Sequence, residues 1–322
     1  MEMKIKRSIN RTERYNITLF GVLVFFCIFF YIWNNNFLSE YNIFNMFKQS
    51  LPGIIIACPM MFVIASGAID LSVGGLMGLA ALVYAKLCVA KFDPWISIVI
   101  VLFLGVLAGA LNTFLVEKLE IPAFMATIAG WLVYGGLAYT ICQAIPISSP
   151  EVRPITAFKH ITIIGLPLAL YIVVFVVLVF LFLEKKTVLG KYSIAIGGNY
   201  NAAYYSGINV TKIRLILFIL CSVMAAFGGM WQVARLATAD PRSIGLGMEF
   251  NVLSACILGG VNIKGGAGSI IGVVIGTFLL AILINGMQMI GIQSFYQQVI
   301  TGIVLLAAVL INYMVSRNRS FE

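Results

Sequence analysis

The sequence predicts an all-α, polytopic bundle of membrane-spanning helices, and three observations carry that prediction. Of its 322 residues 61% are hydrophobic and 10% charged, and the mean hydropathy is +1.03. A soluble domain would carry about 25% charge. Long apolar runs recur along the chain, and lysine and arginine collect in alternate connections between them.

The runs are Ile17 to Trp33, Trp95 to Val116, Pro122 to Cys142, Leu166 to Leu183, Leu215 to Ala234, Ser269 to Gly286 and Gln298 to Val315. Each approaches the ~20 residues a helix needs to cross a bilayer. Leu51 to Ser66, Leu71 to Ala85 and Phe250 to Ile263 are less regular and also read as helices, which makes about ten spans. Ile17 to Trp33 follows basic residues as a signal peptide would, but Asn34, Asn35, Asn36 and Phe37 offer no small-residue cleavage site. It reads as a retained first helix.

Starting inside, the cytoplasmic connections hold Lys118, Lys185, Lys186, Lys191, Lys212, Arg214 and Lys264 besides the basic residues of both termini. The opposite side holds Lys48, Lys86, Lys91, Arg153, Lys159, Arg235 and Arg242, a two-to-one bias that predicts cytoplasmic N and C termini. The net charge of +9 is therefore a topology signal. Trp33 and Trp95 fall at outer helix ends, as interfacial anchors do. The expected organisation is a basic cytoplasmic segment 1–16, a single transmembrane domain 17–315 with a cytoplasmic polar loop 184–214, and a cytoplasmic tail 316–322.

Composition also narrows function. The six cysteines are scattered through apolar runs, and His160 is the single histidine, placed in an outer loop. Metal and histidine-based catalytic sites are not expected. No Gly-x-x-x-x-Gly-Lys-Ser/Thr phosphate loop occurs, and neither the polar loop nor the outer loop near 143–165 has the length of an ATPase or a ligand-capturing domain. An ATP-driven process would need its ATPase on another chain.

Two breaks interrupt the membrane pattern. Leu51 to Ser66 contains Pro59 and, at sixteen residues of ~1.5 Å, reaches only about 24 Å of the ~30 Å hydrocarbon core. It runs into Gly67, Ala68, Ile69, Asp70, Leu71, Ser72, Val73 and Gly74. Phe250 to Ile263 is equally short and runs through Gly259, Gly260, Val261 and Asn262 into Gly265 and Gly266. Pairing Gly67 with Gly259, Asp70 with Asn262 and Gly74 with Gly266 suggests a weak parallel internal repeat, and paired broken segments point to a transport pathway. The bland alternative is two glycine turns. Asp70 has two readings: a cap on the amides of Ser72 and Val73, worth ~1 kcal/mol, or a buried proton or ion site. The cap is the cheaper.

At this point the residues resemble the permease subunits of bacterial ABC importers of the ribose and related monosaccharide type. The resemblance spans about Leu51 to Asn312. It rests on GAIDLSVG at Gly67 to Gly74; on Ile121, Pro122, Ala123, Phe124, Ala126 and Thr127; on Gly190 and Lys191 followed by Ala195, Gly197, Gly198, Asn199, Ala202, Ala203, Ser206, Gly207 and Ile208; and on LGGVNIKGGAGS at Leu258 to Ser269. Ala68 departs where the family often has a second glycine, and Asn251 where it usually has aspartate.

The resemblance implies a half-transporter of the bacterial plasma membrane that binds no cofactor itself. Two permease copies, identical or related, would associate with cytoplasmic ATPase subunits that hold ATP and Mg, and with an extracytoplasmic sugar-binding protein. Asn199, Ala202, Ala203, Ser206 and Gly207 would form the ATPase-coupling helix. Asn199 or Asn201 can cap it, Ala202 and Ala203 would present a low-profile face, Tyr204 and Tyr205 supply contact area, and Gly207 can end it.

Uncharged polar residues in the spans, Ser66, Asn112, Thr127, Ser222, Asn251, Ser254, Asn285 and Thr301, suit a path for a neutral polyhydroxylated solute. Each suits helix-to-helix hydrogen bonding equally. Glu249 would face the outer vestibule, dock the binding protein or simply be solvated. The competing class, an ion-coupled secondary transporter, would need membrane acids or an ion cage, and beyond Asp70 the spans offer almost none. A membrane enzyme would need a catalytic cluster that the sequence does not supply.

Overall fold

A computed structural model describes residues 2–317. In chain order the helices are α1 (Glu2–Trp33), α2 (Glu40–Ala65), α3 (Val73–Val89), α4 (Pro94–Glu117), α5 (Ala123–Cys142), α6 (Arg153–Thr156), α7 (Leu168–Lys186), α8 (Val188–Gly198), α9 (Tyr200–Tyr205), α10 (Val210–Leu236), α11 (Met248–Leu258), α12 (Ile270–Met289) and α13 (Ser294–Arg317). Seven of them, α1 from Tyr15 onward, α2, α4, α5, α7, α10 and α12, are long and apolar enough to cross a membrane, while α3 and α11 are shorter apolar helices. The only sheet among the described residues is a two-strand hairpin, Thr162–Ile163 paired with Leu166–Pro167.

The basic segment ahead of the first span is helical from Glu2 and continuous with it. The expected short helix Leu51 to Ser66 is corrected: α2 has 26 residues, starts at Glu40 and contains both Pro52 and Pro59. At ~1.5 Å per residue it is about 39 Å long and spans without difficulty. Its first turns, rich in Glu, Asn, Lys and Gln, read as a loop, but Ser39 caps them by accepting from the amide of Asn42. Pro52 has no amide to give the Lys48 carbonyl four residues back, and Trp231 Nε1 supplies the missing donor at 3.0 Å. The neighbouring helix thus mends the ladder that the proline opens.

From Leu51 to Ala65 nearly every α2 side chain is buried, so α2 is the central post of the bundle. Around it α10 packs on α4, α2 and α3. Glycines set the closest crossing: a Cβ at Gly109 of α4 would stand 2.5 Å from the Ile219 Cα of α10, and one at Gly105 would stand 2.9 Å from the Val223 Cα. Small residues on one face let two backbones approach, which is where helix association in lipid gains its packing energy.

Both breaks end their helices in the same way. The Gly67 and Gly260 residues are left-handed (φ +80° and +81°). Gly67 N donates to Ile64 O and Ala68 N to Val63 O, while Gly260 N donates to Ile257 O and Val261 N to Cys256 O. These are two copies of one C-terminal motif. The cap therefore aligns Gly67 with Gly260, one residue from the expected pairing with Gly259. Gly259 has an ordinary backbone and does another job: a Cβ there would lie 2.5 Å from Val273 N of α12. Matching glycine strings cannot tell a capping glycine from a packing one.

Candidate functional site

The polar loop does not lie idle on the bundle surface. Its α8 ends at Gly197 and Gly198, and that end is wedged between the two breaks. A Cβ at Gly197 would collide with the Ala65 carbonyl and stand 2.7 Å from Gly266 N; a Cβ at Gly265 would stand 2.9 Å from the Gly197 Cα and 3.0 Å from the Gly67 Cα. The breaks are also joined directly, because Gly266 N donates to Ala65 O at 2.9 Å. Gly197, Gly265 and Gly266 stand at this junction because backbones meet there with little or no space for side chains, and Gly67 joins them through its left-handed turn.

Two polar side chains of the same loop reinforce it. Arg214, in the first turns of α10, donates through one guanidinium nitrogen to Glu117 at the end of α4 (2.6 Å) and through the other to the Ser66 carbonyl at the first break (2.9 Å). The two side chains are largely shielded, at 13% and 3% exposure, so loss of one partner is costly. The guanidinium also sits 5.4 Å from the Tyr200 ring centroid. Burial first and Glu117 second hold the Tyr200 phenol above its ordinary pKa. On the other side Glu184 accepts from Ile270 N, the first amide of α12 after the second break (3.3 Å). Glu117 did not stand out in the sequence, because its partner Arg214 lies 97 residues on, with two long helices between them.

Beyond this anchor lies α9. The Asn199 side chain accepts from Ala202 N at 2.9 Å and so caps the helix. Ser206 follows its last turn, and Gly207 (φ +85°) ends it, with Ile208 N donating to Ala203 O. Ala202, Tyr204, Tyr205 and Ser206 are exposed, and Tyr205 is 84% so. Ala203 is the exception. Expected on the outer face, it is 5% exposed and points into the bundle, because one residue of so short a helix must cover the apolar core beneath it.

Several of the polar residues proposed as a path donate to backbone carbonyls of their own helices, and Thr127 and Asn285 also bond across to other segments. Ser66 Oγ donates to Val63 O, Thr127 Oγ1 donates to Ala123 O and reaches Ile69 O at 3.1 Å, Ser254 donates to Phe250 O and Thr301 to Gln297 O. Asn285 exchanges two amide hydrogen bonds with Asn42 at 2.9 and 3.0 Å. Ser222 is buried with its hydroxyl unpartnered among the described residues, and Asn251 is half-buried in the first turn of α11.

Asp70 is a cap, but a buried one. Its Oδ1 accepts from Ser72 N (2.9 Å) and Ser72 Oγ (2.5 Å), and Asn112 Nδ2 lies 3.5 Å away while donating to Ser72 Oγ at 2.9 Å. The residue is fully buried and Oδ2 has no partner among the described residues. Asn262 makes the same turn in the second break, accepting from Lys264 N at 3.1 Å. Gly74 lies in α3 against Glu249, and that acid, expected near solvent, is 2% exposed.

Comparison with known proteins places these features in a family. Residues 42–309 match the model of the branched-chain amino acid transport system permease component family. The chain is 34% identical over 280 residues to the ribose import permease protein of Escherichia coli strain K12, covering 86% of this chain and 87% of that protein. It is 34% identical over 295 residues to the L-arabinose transport system permease protein of the same organism (90% and 89%), and 33% identical over 302 residues to its D-allose counterpart (93% and 92%). No solved structure matches the chain.

Proposed function

The chain belongs to this permease family, and from that premise we propose that it is the membrane-spanning subunit of an ATP-driven importer that carries a monosaccharide inward across the bacterial inner membrane. The supporting observation is the junction at Gly197, where the polar loop holds both broken segments at once. A force applied to α9 reaches the ends of α2 and α11 through backbone contacts, without a flexible linker between.

In this reading the chain has ten membrane helices, α1 to α5, α7 and α10 to α13, with both termini and α9 in the cytoplasm, on the bias of lysine and arginine. A cytoplasmic ATPase subunit, holding ATP and Mg, seats α9 in a cleft. A second permease copy and the surrounding lipid cover the apolar outer faces, and an extracytoplasmic binding protein delivers the sugar. ATP binding draws the motor domains together, and the paired permeases switch between outward and inward openings. The permease needs only two packings of similar free energy, since the energy enters at the motor.

The test is Ala202→Arg, which adds bulk and charge on the exposed face of α9 and leaves the buried Ala203 alone. ATPase association should be lost, or hydrolysis should no longer drive uptake, while the permease accumulates in the membrane as before. Normal uptake and normal stimulation of hydrolysis by the binding protein would sink the assignment.

A further inference from the structure

Arg214, the fifth residue of α10, stands where four segments meet. One of its nitrogens holds Glu117 at the end of α4 and another holds the Ser66 carbonyl at the end of α2. Its guanidinium carbon lies over the ring of Tyr200, the first residue of α9, 5.4 Å from the centroid. An arginine can make all three contacts at once, because its planar fork presents donors at the edge and a flat face to a ring. A lysine has neither the fork nor the face.

Stability alone does not call for this arrangement. The third nitrogen, Nε, is buried and without a partner among the described residues, and a buried donor left unmatched is costly. Apolar side chains of similar volume would serve the packing as well as a shielded ion pair or better. What they could not do is hold three segments and a ring in one register.

The segments so joined differ in how they are held. Helices α4 and α10 are pressed backbone to backbone at Gly105 and Gly109, so their relative position is set by hard contacts. Helix α9 joins α10 through the short turn 206–209, which passes through the left-handed Gly207. At its other end Tyr200, 44% exposed, closes the α9–α10 hairpin against Arg214. The glycine junction carries the position of α8 to the two breaks; the Tyr200–Arg214 contact carries that of α9 to α4.

We infer that Arg214 is a positioning residue of the transport cycle: through Tyr200 it registers where α9 stands, and through Glu117 and the Ser66 carbonyl it passes that position to α4 and to the end of α2. The inference rests on the reading of α9 as the seat of the ATPase subunit. A shift of α9 that carries the ring off the guanidinium removes one of the three contacts. It biases the two packings by what that contact is worth, about fivefold for ~1 kcal/mol.

The test uses the full transporter in proteoliposomes with its ATPase and binding protein, and reads radiolabelled D-ribose, D-allose and L-arabinose moved per ATP hydrolysed. Tyr200→Leu removes the ring from a half-exposed position and should lower that ratio about fivefold, with membrane abundance and ATPase co-purification at wild-type level. Tyr200→Phe keeps the ring and should match wild type. Glu117→Leu with Arg214→Met keeps the packing without the charges, and should lose coupling by at least as much while thermal stability holds. A wild-type ratio in Tyr200→Leu or in the double variant overturns the inference, as does an equal loss in Tyr200→Phe. Loss of ATPase co-purification in Tyr200→Leu makes the ring a docking contact, which overturns the role of Arg214 and leaves α9 as the seat of the motor. Normal coupling in Ala202→Arg, or a wild-type transporter that moves none of the three sugars, overturns the reading beneath the inference and the inference with it.

Discussion

The two breaks use one backbone device with opposite surroundings. Each ends a helix on a left-handed glycine, Gly67 or Gly260, and each then turns on a side chain that accepts from the amide two residues on, Asp70 to Ser72 N and Asn262 to Lys264 N. The first turn is sealed: Asp70 and Ser72 are fully buried, and Asn112 and Thr127 bind the segment to α4 and α5. The second is open. Asn262 is half-buried, Lys264 is exposed, and the loop is held by Gly266 N to Ala65 O and Asn262 N to Ala267 O. The first break is therefore enclosed by the bundle, and the second is joined to it both directly and through the polar loop.

The largest effect should come from the pair that locks the enclosed side. Glu117→Ala leaves Arg214 buried and unpaired, and should destabilise by about 3–5 kcal/mol. Replacing both, as Glu117→Leu with Arg214→Met, should recover most of that loss. Thermal unfolding of the purified permease reads both, and equal losses in the single and double variants would mean that the pair does not lock this end.

Gly197→Val, at the point where the two sides meet, should cost about 1–3 kcal/mol through overpacking. It should also free the second break, which hydrogen exchange at Asn262 to Gly268 would detect. Exchange unchanged there, with stability intact, would separate α8 from the break.

A smaller effect tests the buried turn. Asp70→Ala should cost about 1–2 kcal/mol, whereas Asp70→Asn keeps the acceptor for Ser72 N and should cost little. Asp70→Asn with native stability and lost uptake would show that the charge, and not the cap, is needed. The smallest effect is expected at the open counterpart. Asn262→Ala should cost about 0.5 kcal/mol, at the low end for such caps. A loss equal to that of Asp70→Ala would erase the contrast between the breaks.

Much of this was legible in the sequence. Apolar runs and charge placement marked the helices, and the match of Asp70 with Asn262 found two turns that share one geometry. The match of Gly67 with Gly259 failed because a cap depends on where hydrogen bonds close, and the composition of a glycine string does not state that. The length of α2 was missed because Glu40 to Ser50 is polar, and its helix depends on Ser39 and on Trp231, 183 residues away from the carbonyl it satisfies. Asn199 and Gly207 were readable as a cap and a stop, since both act on neighbours in the chain. The inward turn of Ala203 and the burial of Glu249 were not, because each depends on what packs against it.

Taken alone, the sequence determined that the chain is a membrane helix bundle, where its helices break and which loop stays polar, since hydropathy, capping and turn chemistry act over a few residues. Only the tertiary structure decided that Gly67, Gly197, Gly265 and Gly266 meet, that Arg214 reaches Glu117 and Ser66, and that Glu249 is buried against Gly74. Those contacts join segments up to two hundred residues apart. They form where helix faces press together closely enough to exclude side chains, a condition set by the packing of the whole bundle.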